Sequence, residues 1–168
     1  MAADLGPLRI TFRYRIPEPF IWEYFEKGRT FVFPNLIKIT RWNMCLFALA
    51  TGDWNPLHFF PWVARKAGYR GCIAHGGLVM NKLPGALCKL NFWNGTIDAL
   101  RLTTQKYKLP IYPKDKVHFE MSVLDKQSKE GVDEAGLVKF DFKIKNQRNE
   151  EVVTGTLTAI IKKSARYS

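Results

Sequence analysis

Cysteine, long apolar runs and signal sequences are scarce or missing in this chain. Its 168 residues include only three cysteines, Cys45, Cys72 and Cys88, which have no CxxC spacing. An odd number without metal-site spacing predicts free thiols rather than disulfides or a zinc site. No run of eighteen apolar residues occurs, and the first residues lack a signal-peptide core. We therefore expect a soluble intracellular protein, in the cytoplasm or the mitochondrion, without a membrane span.

Acidic side chains are also few. The 15 aspartates and glutamates stand against 26 lysines and arginines, which gives a net charge of +11. Such a field attracts polyanions, for example nucleic acid, phosphate-bearing cofactors or an acidic carrier protein. The chain has no dense basic run and no zinc-finger spacing, which argues against nucleic acid. The basic residues are spread over predicted strands, where a solvated face is the default explanation.

The composition, with 46% hydrophobic residues, allows one sizeable core. We expect a single domain over residues 1–168, with residues 1–22 as an N-terminal extension. Residues 9–16 alternate polar and apolar side chains, which predicts an extended edge segment; an arginine-bearing transit peptide is the alternative. Residues 30–39 predict a strand that Pro34 interrupts or confines to an edge.

A helix is predicted from Thr40, a plausible N-cap, to Ala50. Trp42, Leu46 and Leu49 fall at helical spacing within it, and we interpret this stripe as the face that packs on the core.

Two further helices follow in the pattern. Residues 61–67 predict a short helix with proline in its first turn. Residues 76–90 are mostly apolar and predict a central buried helix, whose N-terminal amides suit an oxyanion. Pro84 lies inside this segment, so we expect a kink or a stop near Leu83.

The C-terminal half predicts antiparallel strands. Residues 116–125 and 137–145 alternate apolar and polar side chains, as half-buried strands do. The polar residues 126–136 predict a mobile loop between them. Residues 146–149 predict a tight hairpin turn, and residues 152–161 predict the last strand. Strand, helices and then several long strands indicate an α+β domain, with a sheet wrapped around one helix.

Asp53, Asn55 and His58 form the most polar short segment. Gly52 can end the preceding helix in the left-handed region, and Pro56 excludes helical backbone at Asn55. A chain turned this tightly can aim the Asp53 carboxylate and the His58 imidazole at one water, as a base and an acid near neutral pH. Read locally, the same pattern also fits an Asx turn with a surface histidine.

A longer stretch of sequence favours the catalytic reading. The segment resembles the hydratase motif of MaoC-like dehydratases, the R-specific enoyl-thioester hydratases. The resemblance is carried by TGDWNPLH at residues 51–58, by Ala64 and Gly68, and by IAHGG at residues 73–77. EYFEKGRTF resembles the opening strand of that family, and KLPIYPKDKVHFEMSVL resembles a later segment. Together they cover most of residues 23–161, in the order of the family.

The resemblance implies roles for four residues. Asp53 and His58 match the catalytic acid and histidine. Gly76 matches the glycine whose backbone N–H faces the thioester oxygen, and Asn55 matches the motif asparagine, which supports the loop or contacts the substrate. His75 matches no catalytic position, and we expect it to support the site by orienting the backbone.

The chain departs from the family at two positions. A serine that some members place eight residues after the glycine is Pro84 here, which removes any role for that hydroxyl. Lys114 stands where a glycine is usual, and we expect it to alter a turn. Separately, Phe59, Phe60 and Trp62 either line a tunnel for an acyl chain or seal the loop against the sheet.

The family resemblance also implies a fold and a reaction. The fold is the hot dog fold, an antiparallel sheet wrapped around a central helix, in a homodimer. The reaction is the reversible hydration of trans-2-enoyl thioesters to (3R)-3-hydroxyacyl thioesters in fatty acid metabolism. The substrate would be carried on coenzyme A or an acyl carrier protein, and neither a metal nor a redox cofactor is implied. A hot dog acyl-thioesterase and a non-catalytic basic binding module are the alternatives.

Overall fold

Six strands form one sheet in the order β1-β2-β4-β5-β6-β3. The computed structural model describes residues 9–11, 20–89, 91–92, 96–128 and 134–164. The strands are β1 Arg9–Thr11, β2 Thr30–Lys38, β3 Thr96–Tyr107, β4 Lys116–Ser128, β5 Ala135–Asn146 and β6 Glu151–Lys162. All neighbours pair antiparallel except the short β1, which runs parallel to β2.

The long strands confirm the predicted alternation. One face of β4 and β5 is buried against the core, through Val117, Phe119, Met121, Val123, Val138, Phe140, Phe142 and Ile144. The predicted loop over residues 126–136 is too long, because the pairing of β4 with β5 continues to Ser128 and Gly136. Polar residues at the end of a hairpin can still pair through the backbone, which side-chain polarity does not report. The part of this loop at 129–133 lies outside the described residues.

Two N-terminal predictions need adjustment. EYFEKGRTF does not open as a strand: a 3-10 turn covers Trp22–Tyr24, Gly28 adopts a left-handed φ of 84°, and the strand begins at Thr30. Pro34 has no N–H to give to a ladder, and the register between β2 and β4 shifts between Phe33 and Ile37 around it. Of the predicted edge segment 9–16, residues 12–16 lie outside the described residues.

Helix α1, Arg41–Thr51, begins where the sequence predicts. Thr40 accepts the Asn43 N–H at 3.0 Å, and the Asn43 side chain accepts the Thr40 N–H in return. The prediction that Trp42, Leu46 and Leu49 face the core is wrong, since their exposed fractions are 68%, 45% and 67%. The buried residues of this helix are Met44 and Ala48 on the other side. Helical spacing shows which residues share a face, but it does not show which face is inside.

Helix α3, Gly76–Lys89, packs on the sheet as the central helix of the domain. Its core-facing side chains are Leu78, Val79, Met80, Leu83 and Leu87. The predicted stop near Leu83 does not occur, because the helix continues through Pro84. Pro84 removes one backbone hydrogen bond, but it is exposed, and the burial of Leu83 and Leu87 on either side holds the helix together.

The remaining predicted elements are confirmed, with small shifts of their bounds. Helix α2 is Pro61–Lys66, and the hairpin turn after β5 places Asn149 in the left-handed region at φ 65°. Lys114 also has a left-handed φ, of 84°, so the lysine adopts the backbone that a glycine there would favour. Among the described helices, none is both long and apolar enough to cross a membrane.

The outer face of the sheet carries a ladder of ion pairs. Glu151 at the start of β6 pairs with Lys108 and, at 3.0 Å, with Lys143 on β5. Lys145 and Glu120 form a second pair at 2.9 Å. The hydrogen bonds from Lys108 and then Lys143 lower the pKa of Glu151 from 4.5 to about 2. The charged form of Glu151 therefore stabilises the folded chain.

This ladder predicts part of the acid sensitivity of the fold. A carboxyl with a lowered folded pKa stabilises the protein fully above its unfolded pKa of 4.5, and this contribution is lost as the pH falls from 4.5 towards 2. Glu151→Gln should therefore lower the melting temperature at pH 7 and flatten its fall below pH 4.5. Glu26→Gln, which removes a pair at a 67% exposed carboxyl, is the control. Parallel melting curves for Glu151→Gln and wild type would contradict the assignment.

Candidate active site

The loop after α1 is shaped by a glycine and a proline. Gly52 ends the helix at φ 75°, with its N–H on the Ala48 carbonyl at 2.8 Å. Asn55 has a non-helical backbone with φ −54° and ψ 124°, and its Oδ1 accepts the Leu57 N–H at 3.0 Å to begin the 3-10 turn Pro56–His58. Among its described contacts, the Asn55 side chain thus holds the turn.

The tight turn brings the predicted acid and imidazole together. Asp53 is exposed, and its Oδ1 accepts the Asn55 N–H at 3.3 Å. A carboxylate oxygen of Asp53 and ring nitrogens of His58 and His75 all lie within 4.8 Å of one another. A water molecule placed among them can hydrogen bond to both Asp53 and His58.

A backbone hydrogen bond fixes the His58 ring. Its Nδ1 lies 2.8 Å from the Ile73 carbonyl oxygen. A carbonyl can only accept, so Nδ1 must carry the proton, and the neutral ring keeps its lone pair on Nε2. His58 is therefore held as the tautomer that can take a proton at Nε2.

The buried His75 contacts both members of this pair. Its ring is only 1% exposed and lies 3.8 Å from the His58 ring, centroid to centroid, at an interplanar angle of 32°. Its Nε2 contacts the Asp53 carbonyl oxygen at 3.1 Å, so Nε2 carries the proton and donates. Burial, together with the nearby His58, lowers the pKa of His75. A neutral His75 thus holds the Asp53 backbone, the kind of backbone contact that the sequence suggests for it.

The three side chains also form the donor set of a conceivable metal site. Asp53, His58 and His75 each offer one ligand atom. The two rings lie 3.8 Å apart at an interplanar angle of 32°, and His58 Nδ1 and His75 Nε2 already contact backbone carbonyls, so each ring has one nitrogen left to offer.

Gly76 begins α3 next to His58. Its position at the helix start leaves early backbone N–H groups without intrahelical acceptors, and the positive end of the helix dipole favours negative charge there. Gly76 and His58 line the same cavity, of about 470 Å³. The Ala74 N–H donates to the Ile111 carbonyl at 2.7 Å, which ties the segment before the helix to the far wall of this cavity.

Tyr107 lines the cavity, and the sequence did not predict this role. It ends β3 and lines the cavity, and a Cβ added at Gly76 would lie 2.8 Å from its ring. Because Tyr107 is 31 positions from Gly76, only the tertiary fold brings the two together. The sole sequence signal is its place next to the KLP segment that resembles the family.

Neither reading of the three aromatics after His58 is fully correct. Phe59 does seal the loop, with ring centroids 5.3 Å from Trp54 and 5.7 Å from His75. Phe60 and Trp62 stack on each other at 4.7 Å and are exposed. The residues around the Gly76 cavity do not include any of the three.

This geometry can be compared with known proteins. The family described as MaoC like domain matches residues 25–141. The chain belongs to the MaoC-like dehydratase family.

Individual relatives agree with the family assignment. Over 116 residues the chain is 30% identical to the mitochondrial 3-hydroxyacyl-[acyl-carrier-protein] dehydratase of Arabidopsis thaliana, covering 68% of this chain. The match spans 66% of that relative, just under two thirds of its length. The R-hydratase PhaJ1 of Pseudomonas aeruginosa is 25% identical with a TM-score of 0.69, covering 86% of each chain.

The solved structures also establish the fold. A monoamine oxidase regulatory protein from Archaeoglobus superposes with a TM-score of 0.78 at 24% identity, over 90% of this chain and 99% of its own. A double hotdog protein from Mycobacterium tuberculosis gives 0.78 at 15% identity, over 89% of this chain and 46% of its own. The predicted hot dog fold is therefore confirmed for this MaoC-like chain.

Proposed function

We propose that this MaoC-like protein catalyses the reversible hydration of trans-2-enoyl thioesters to (3R)-3-hydroxyacyl thioesters. The observation that carries the proposal is the meeting of Asp53 and His58 at one point beside the Gly76 cavity. Two relatives are named for a 3-hydroxyacyl dehydratase and for an R-hydratase, which supports this chemistry.

The proposed reaction begins with one water held by the Asp53 carboxylate and His58 Nε2. The pair removes a proton as the water oxygen bonds to C3 of the enoyl group. The electrons of the C2–C3 double bond move towards the carbonyl, and negative charge develops on the thioester oxygen. A proton from the pair then adds to C2, so the product has gained one water.

Gly76 would stabilise the negative oxygen. The free N–H groups at the start of α3 are pre-oriented donors, which need no reorganisation as charge develops. Asn55 acts indirectly in this scheme, since its Oδ1 holds the turn that carries His58. All of these groups belong to the chain itself, and the prediction that neither metal nor redox cofactor takes part stays a prediction.

Substitutions at the pair test the proposal. Asp53→Asn and His58→Gln keep the size of each side chain but remove the base, so each should lower kcat/KM for crotonyl thioester hydration by at least about a hundredfold. The readout is the loss of ultraviolet absorbance of the conjugated enoyl thioester, with circular dichroism to verify folding.

Matched controls lie outside the site. Asp125→Asn changes a carboxyl at the end of β4, and His118→Gln changes a histidine of β4; both should retain wild-type hydration. Release of free thiol by wild type without hydration would instead indicate a thioesterase. A folded wild type with neither activity would favour a non-catalytic basic module.

The carrier is proposed to be an acyl carrier protein. The net charge of +11 favours an acidic partner, and the Arabidopsis relative is named for acyl-carrier-protein substrates. Attraction between a positive protein and an acidic carrier raises the encounter rate and is screened by salt.

Ionic strength distinguishes the carriers. Between about 50 and 500 mM salt, kcat/KM for the carrier-protein substrate should fall roughly tenfold while kcat stays unchanged, because only encounter is affected. The kcat/KM for the coenzyme A substrate should fall less over the same range of salt. Equal salt dependence for both substrates would contradict a docking role for the positive charge.

The mitochondrial compartment is proposed from the name of the Arabidopsis relative.

A homodimer is proposed to form through β3. This twelve-residue strand ends the sheet and, within the described part of the chain, pairs only with β6. The open edge of a strand of this length presents backbone donors and acceptors to a second copy. Light scattering after size exclusion should therefore give twice the chain mass at micromolar concentration. A monomer that hydrates at the full rate would rule out this role.

A further inference from the structure

Tyr107 covers the first residue of α3. An ideal Cβ at Gly76 would lie 2.8 Å from Tyr107 Cε1 and Cζ, and 3.0 Å from the phenol oxygen. Real side chains essentially never approach so closely, so the ring occupies the space that any residue other than glycine would need. The contact joins the end of β3 to the start of α3 at the cavity wall.

The phenol oxygen lies beside the first residue of α3, and Tyr107 lines the cavity. Gly76 N and the ideal Cβ are both bonded to the same Cα. An oxygen that accepts the Gly76 N–H sits about 2.9 Å from that nitrogen. The phenol oxygen lies 3.0 Å from the Cβ position, so it is held against the same residue whose N–H would bind that acceptor. His58 lines the same cavity.

The hydroxyl is available as a donor. Its partner is Gln105 Oε1 at 3.1 Å, in an exposed contact between neutral groups. Burial of part of the ring raises the pKa of Tyr107, so the phenol keeps its proton at neutral pH. Exchange of this bond for one to a negatively charged oxygen is favourable, because charge-assisted hydrogen bonds are roughly twice as strong.

We propose that the Tyr107 hydroxyl donates a second hydrogen bond to the thioester oxygen, opposite the Gly76 N–H. This inference rests on the proposed hydration. As the enolate forms, its oxygen would receive one bond from the helix start and one from β3. Tyr107 would thus be a catalytic residue supplied by a segment that lies outside the GDWNPLH and AHGG motifs.

The first test removes only the oxygen. Tyr107→Phe keeps the ring against Gly76 and should lower kcat for enoyl-thioester hydration about a hundredfold, as expected for loss of one oxyanion donor, with KM changed less than about threefold. Gln105→Leu removes the resting partner and should leave kcat within about twofold. Tyr112→Phe removes a phenol stacked on Arg70, outside the cavity, and should behave as wild type.

A second readout does not depend on turnover. A bound 3-oxoacyl thioester such as acetoacetyl-CoA ionises to an enolate with its own ultraviolet absorbance. Two donors at its oxygen should lower the apparent pKa of the bound ligand, and Tyr107→Phe should raise that pKa by about one to two pH units. Gln105→Leu and Tyr112→Phe should leave the pKa of the bound ligand unchanged.

The outcomes separate the two proposals. Full kcat and an unchanged enolate pKa in Tyr107→Phe would overturn the role of the hydroxyl, while hydration by wild type would still stand. A rise in KM alone would show that Tyr107 only lines the cavity, and it would also overturn the proposed role of the hydroxyl. If wild type bound the enolate with the expected Tyr107 dependence but did not hydrate enoyl thioesters, the donor would stand and the hydratase proposal would fall.

Discussion

The hydrogen bond between His58 Nδ1 and the Ile73 carbonyl organises the site. It joins the loop that carries Asp53 to the segment that leads into Gly76, across 15 residues of sequence. Without it the imidazole could rotate or change tautomer, and its free nitrogen would no longer point to a fixed place. The contact from His75 to the Asp53 carbonyl closes the same unit from the buried side. Two backbone carbonyls therefore set the positions of the three polar side chains.

The rest of the domain keeps this unit at the start of α3. The apolar side of the helix is buried on the sheet, while Ala74 pairs with Ile111 just ahead of it. Phenylalanines dominate the core, and Phe25, Phe31 and Phe92 meet with ring centroids 5.1 to 5.7 Å apart. Such rings contribute large buried areas, and the Phe92 N–H donates to the Leu87 carbonyl, so the cluster fixes the C-terminal end of the central helix. In the described part of the chain the ion pairs lie on the outer face of the sheet and at the surface, and Glu120, which pairs with Lys145, is itself buried.

Local chemistry explains what the sequence could predict. The Thr40 cap, the left-handed Gly52, the turn at Asn55 and the alternation of β4 and β5 depend on neighbouring residues, and each is found in the structure. The meeting of Asp53 with His58 follows from the same short-range geometry. Resemblance to a family adds the roles, which geometry alone does not assign.

Long-range contacts explain what it could not. Trp42, Leu46 and Leu49 have the spacing of a core-facing side of a helix. However, α1 packs on the core through the side that carries Met44. Pro84 is tolerated because tertiary burial outweighs one lost hydrogen bond. Tyr107 reaches Gly76 only after β3 has paired with β6, and no short pattern records such a contact.

The anchored His58 ring also has a stereochemical consequence. Since Nδ1 stays protonated on the Ile73 carbonyl, a proton gained at Nε2 can leave only from Nε2. On the proposed chemistry, the oxygen that adds to C3 and the hydrogen that adds to C2 then approach from one side of the substrate plane. Such an addition would be syn, and in heavy water the deuterium at C2 and the new oxygen at C3 would share a face of the former double bond.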